Sequence, residues 1–158
     1  MRILTMVLAA ALAAAGPGAA SAQDAFDACE VFTLAEAKSV LGGGASPEPS
    51  NPKVKRPKVV STCNYFSSKD GQVTTASAQF RSAKTEADLQ RAFDEERLRF
   101  QTKPMILADA RAFWSAKQGQ LHVLKGRTWL TVTVGSSKPA EREPEPARRL
   151  AEQLAKKL

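Results

Sequence analysis

Histidine occurs once in this chain, tyrosine once and cysteine twice, and aromatic residues fill only 6% of its 158 positions. Each scarcity excludes something. A single imidazole leaves little room for a histidine-built metal site or a nucleophile–base pair, and two cysteines exclude a disulfide-dense miniprotein. Beyond residue 22 no apolar run approaches the ~20 residues that a membrane-spanning helix needs, so a polytopic membrane protein is excluded. The length accommodates one ordinary domain and leaves no room for a multidomain enzyme. Acidic residues are also in the minority, 16 against 23 Lys and Arg.

What is present begins with an address. Arg2 precedes an apolar stretch from Ile3 to Ala15, Gly16-Pro17-Gly18 breaks it, and Ala20-Ser21-Ala22 gives a small-x-small cleavage pattern. This is the layout of a secretory signal peptide over residues 1–22, with an apolar core of about 13 residues inside the usual ~7–15. Arg2 is its one charge, so residues 23–158 carry 22 basic and 16 acidic side chains, a net of +6. The apolar content of 43% for the whole chain is inflated by this leader. A lipid anchor would have to use Cys29, but Asp24, Phe26 and Asp27 lie where small uncharged residues are required. The expected product is soluble and either periplasmic or secreted.

Export changes the meaning of the cysteines. In an oxidising compartment two thiols in a small domain pair, which makes Cys29–Cys63 the expected bridge. Closing a loop of about 34 residues stabilises a fold by ~3–4 kcal/mol in the chain-entropy account. The rival use is metal binding. No CxxC spacing occurs and the one histidine is distant, so neither a metal nor a cofactor is expected.

Along the mature chain, Thr33-Leu34-Ala35-Glu36 forms a capping box for a short helix that Gly42 ends. Residues 43–58 hold Pro47, Pro49, Pro52 and Pro57 and read as a flexible, proline-rich basic loop. Two strands follow, 59–66 and 72–80, around an Asp70-Gly71 turn. Thr85 opens a second helix to about Gln101, with Leu89, Ala92, Phe93 and Phe100 as its stripe and Pro104 at its exit. Strands at 110–117, 120–125 and 127–135 come next. A final helix over 144–158 repeats Ala147, Leu150, Ala151, Leu154 and Leu158 on one face. The expectation is a single α+β domain over 23–158 in the order α-β-β-α-β-β-β-α. Its antiparallel sheet has about five strands, its helices lie on one face, and one disulfide ties it.

Few residues are placed for chemistry. His122 shares a strand face with Gln120 and Leu124, and no Gly-x-Ser-x-Gly elbow accompanies it. Glu96 falls inside the stripe of its helix, where it either meets a cation or overhangs the sheet. The run Gly42-Gly43-Gly44 follows a helix, whereas a phosphate-cradling loop precedes one. No catalytic residue is assigned.

Two surfaces are candidates for binding. Lys53, Lys55, Arg56 and Lys58 form a basic cluster with no acid between Glu48 and Asp70. Trp129, Thr131 and Thr133, with Thr75, Ser77 and Gln79, define a polar sheet face carrying one large aromatic. In an exported protein these surfaces fit an envelope protein or an anionic envelope surface rather than nucleic acid.

The mature chain resembles small bacterial envelope domains, many of them lipoproteins of actinobacteria. The likeness rests on Cys29-Glu30-Val31-Phe32-Thr33-Leu34-Ala35-Glu36, Leu41-Gly42, Cys63-Asn64-Tyr65 and the segment from Ala110 to Trp114. It implies export and a disulfide-tied α+β fold, and it brings no catalytic residues. The functional expectation is a non-catalytic binding or accessory module. An inhibitor or immunity-type protein is the alternative, and a small hydrolase using His122 and Glu96 comes third.

Overall fold

Asp70 and Gly71 both adopt positive φ, 52° and 77°, and close a two-residue hairpin between Lys69 and Gln72. That is the turn whose twist suits antiparallel strands, and Asp-Gly supplies it cheaply. The computed structural model describes residues 27–51 and 59–158. The leader 1–22 and the basic residues Lys53, Lys55, Arg56 and Lys58 lie outside the described residues.

In chain order the elements are α1 (Ala28–Val31), α2 (Leu34–Leu41), β1 (Ser46–Pro47), β2 (Val60–Lys69), β3 (Gln72–Arg81), α3 (Glu86–Arg99), β4 (Thr102–Leu107), β5 (Ala110–Ser115), β6 (Gln120–Lys125), β7 (Thr128–Ser136) and α4 (Pro144–Ala155). The strands form one antiparallel sheet in the order β1-β2-β3-β7-β6-β5-β4. After β3 the chain crosses to the far edge through α3 and returns by three hairpins, so β7 slots between β3 and β6.

The α+β class holds, but two expectations are corrected. The sheet has seven strands rather than about five, because Ser46–Pro47 and Thr102–Leu107 pair at its two edges. Pro104 is a residue of β4 rather than a helix exit. The two-residue loop at 108–109 closes on Leu107 and Ala110, so strand alternation directs Lys103, Met105 and Leu107 at β5 and leaves Pro104 facing outward. An outward proline removes no ladder bond and blunts a free edge. At the opposite edge the Asn51 side chain stands in for a strand: its Oδ1 accepts the Asn64 N–H at 2.8 Å and its Nδ2 donates to the Asn64 carbonyl.

The second correction concerns layers. Helices lie on both faces of the sheet, not one. α1, α2 and α4 cover the face bearing Cys63, Tyr65, Ala76, Ala78, Phe80, Leu121, Val123, Leu130, Val132 and Val134. Ala147, Leu150, Ala151 and Leu154 of α4 are fully buried there. The Cys29–Cys63 disulfide pins α1 to β2 with Cα atoms 5.1 Å apart. Beside it, Phe32 meets Tyr65 edge-on at 4.8 Å, and the Tyr65 hydroxyl donates to the Phe32 carbonyl at 3.2 Å. The opposite face has its own smaller core, in which Leu89 and Phe93 of α3 pack on Phe113, Leu124 and Trp129. The crossover from β3 to β4 must traverse one face of the sheet, and these three apolar side chains mark which one.

Candidate binding face

Cross-strand pairing lays the second face out in rows. The first is Val60–Arg81–Trp129–Leu124–Arg111, and the next is Thr62–Gln79–Thr131–His122–Phe113. Two shorter rows follow, Asn64–Ser77–Thr133 and Phe66–Thr75–Gly135. α3 covers the β5–β7 end of the first two rows; beyond Arg81, which lies over Trp129, the remainder presents mostly short neutral side chains and Phe66.

Under α3 the packing is aromatic. Phe93 lies 4.9 Å from Phe113 and 5.6 Å from Trp129, the latter edge-on. Arg81 stacks 4.6 Å above the Trp129 ring and Arg111 5.4 Å from Phe93, each a favourable cation–π contact. Arg111 also pairs with Asp94 of α3. Trp129 is 4% exposed. Its ring belongs to this cluster and is not offered to solvent.

His122 lies beneath the same helix, 2% exposed and stacked on Phe113 at 4.5 Å. The Trp129 indole N–H donates to His122 Nδ1 at 3.3 Å. An indole can only donate, so Nδ1 must be the acceptor and the imidazole proton sits on Nε2. Thr131 Oγ1 lies 3.4 Å from the same Nδ1. Nε2 is buried with no hydrogen-bond partner among the described residues. Burial, with a smaller contribution from the positive Arg81, pushes the His122 pKa down from 6.5 to about 4. The ring is therefore neutral at physiological pH, sealed from solvent and already committed to Trp129.

The sheet brings together three of the residues singled out from sequence. Trp129 is covered, Thr131 is half-buried at the margin of α3, and Thr133, one row further on, is itself buried at 9% exposure. Thr62, Asn64 and Phe66 of β2 extend the uncovered part, half-exposed beside Thr75, Ser77 and Gln79. Their period-2 alternation with Ser61, Cys63 and Tyr65 was the signal that places them there. Gln79 donates to Thr62 Oγ1 at 3.3 Å, linking β3 to β2 across one row.

Glu96 sits on α3 with Arg99 3.7 Å away. The end of that helix overhangs: Leu98 is 77% exposed and Phe100 only half-buried. The glycines 42–44 line an open groove of about 700 Å³ against Ser67, Ser68, Lys69 and Asp70. They sit at the C-terminal, negative end of α2, which is the wrong end for an anion. Among the described residues no three His, Cys, Asp or Glu side chains cluster for a metal ion, and no helix is long and apolar enough to cross a membrane. No family model, curated protein or solved structure matches the chain.

Proposed function

We propose that this chain is an exported, non-catalytic binding or accessory module of the bacterial envelope, docking a protein partner on the uncovered part of its second sheet face. The observation that carries this reading is the composition of that surface. Thr62, Asn64, Phe66, Thr75, Ser77, Gln79 and Thr131 include no charged residue, lie on three adjacent strands and are each partly exposed. A flat neutral face with one aromatic fits a polar protein surface better than an anionic one, which would call for clustered cations. The signal layout and the disulfide support export. The neutral, buried His122 supports a non-catalytic role, because a general base must reach its substrate.

The test is paired substitution on that face. Thr75→Arg with Ser77→Arg, both on half-exposed positions of β3, abolishes capture of the partner that the unaltered mature protein retains, while Arg149→Glu on exposed α4 leaves capture intact. Loss with Arg149→Glu but not with the paired change would place the binding surface elsewhere.

A further inference from the structure

α3 is attached to the sheet by few side chains. Of its 14 residues only Leu89 and Phe93 are buried, against five in the 12 residues of α4. Both anchors rest on a cluster that includes Trp129, and Trp129 is positioned from below by His122. We propose that α3 is a proton-operated cover: adding a proton at His122 Nδ1 displaces the Trp129 N–H and releases α3 from the second face while the core beneath α1, α2 and α4 stays folded.

The geometry gives the cationic ring nowhere to go. Its new N–H would oppose the indole N–H at 3.3 Å, donor to donor. Thr131 Oγ1 can accept it only by leaving the Trp129 N–H buried and unpaired. Nε2 has no acceptor among the described residues. The surrounding charges do not help. From β3, Arg81 lies over Trp129 and repels an imidazolium. From β5, Arg111 is paired with Asp94 of α3, and Arg97 holds the same carboxylate at 3.5 Å. The remaining α3 acid on this flank, Glu96, faces Arg99. Among the described residues no carboxylate is placed to neutralise the ring, so its burial favours opening as protons are added. Release uncovers Phe113, Leu124 and Trp129 next to the neutral rows and extends the exposed face across the sheet. Regions held by so few buried side chains are the ones that open locally in native proteins.

The experiment is amide hydrogen exchange on the unaltered mature protein from pH 7.5 to 4.5, corrected for intrinsic exchange rates. The single histidine resonance is followed in the same samples. The expected result has α3 amides exchanging through an opening more frequent than that of α4 at every pH. Its equilibrium constant rises by up to tenfold per pH unit below the ordinary histidine pKa, and the pH dependence disappears in His122→Gln and His122→Phe. Three results overturn the proposal: α3 and α4 sharing one opening constant, an α3 opening constant flat with pH, or a slope that persists in both variants. If neither variant folds, the first two comparisons on the unaltered chain still decide.

Discussion

His122 is a residue through which mild acid acts on this fold. Its pKa is depressed by burial, so the unfolded chain binds the proton more readily than the native one between about 6.5 and 4. The sign follows: stability is full above pH 6.5 and falls as pH drops toward 4, by about 3 kcal/mol in total. Urea unfolding at pH 7 and pH 4.5 measures it, and His122→Phe flattens the profile in this window. Glu36 behaves differently. Burial alone would raise its carboxyl, but hydrogen bonds from Lys157, the Thr33 hydroxyl and the Thr33 backbone outweigh burial and hold it at about 2. Glu36→Gln keeps the capping box and loses only the Lys157 charge contact, so it should destabilise less than Glu36→Ala, which loses both. A difference near 1 kcal/mol is expected from thermal melts at pH 7. The strand face that His122 occupies was legible from alternation. Its burial was not, because the cover comes from α3, a segment some 30 residues away whose side of the sheet no local pattern reveals.

At the scale of elements the contrast between α3 and α4 organises the molecule. α4 repeats small and large apolar residues without interruption, and its stripe could be read directly. α3 spreads a thinner stripe among eight charged residues between Glu86 and Arg99, and its continuation toward Phe100 concealed β4. An edge strand with an outward proline carries little strand signature, and two-residue β1 carries less. The capping box of α2 and the Asp70-Gly71 hairpin were legible because each is a local hydrogen-bonding or φ requirement met by particular side chains. A mutational contrast follows. Leu154→Ala opens a cavity in the main core and should cost about 2–5 kcal/mol of global stability. Phe93→Ala removes a comparable or larger side chain, but its cost is limited to the free energy that holds α3 down. Hydrogen exchange should show α3 protection lost with α4 protection nearly unchanged. Equal loss in both helices would mean that the two cores unfold as one.

For the molecule as a whole, the architecture is a sheet sealed on one face and partly covered on the other. The disulfide belongs to the sealed side, where it closes 34 residues between α1 and β2. Replacing both cysteines with serine should lower stability by about 3–4 kcal/mol, read from denaturant midpoints, and leave the second face unaltered. Cysteine count and the expectation of export were enough to foresee the bridge. The candidate face was only half legible: Thr75, Ser77, Gln79, Thr131 and Thr133 were placed by alternation, whereas the seating of Trp129 under a helix depends on tertiary packing. The claim that the uncovered rows receive a protein partner is tested most directly by a photo-crosslinking side chain at Ser77, compared with one at Arg149 on the opposite side of the sheet, in cells exporting the protein. A single adduct of defined mass at Ser77 and none at Arg149 is the predicted result. Adducts at Arg149 alone, or none above background at Ser77, would contradict it.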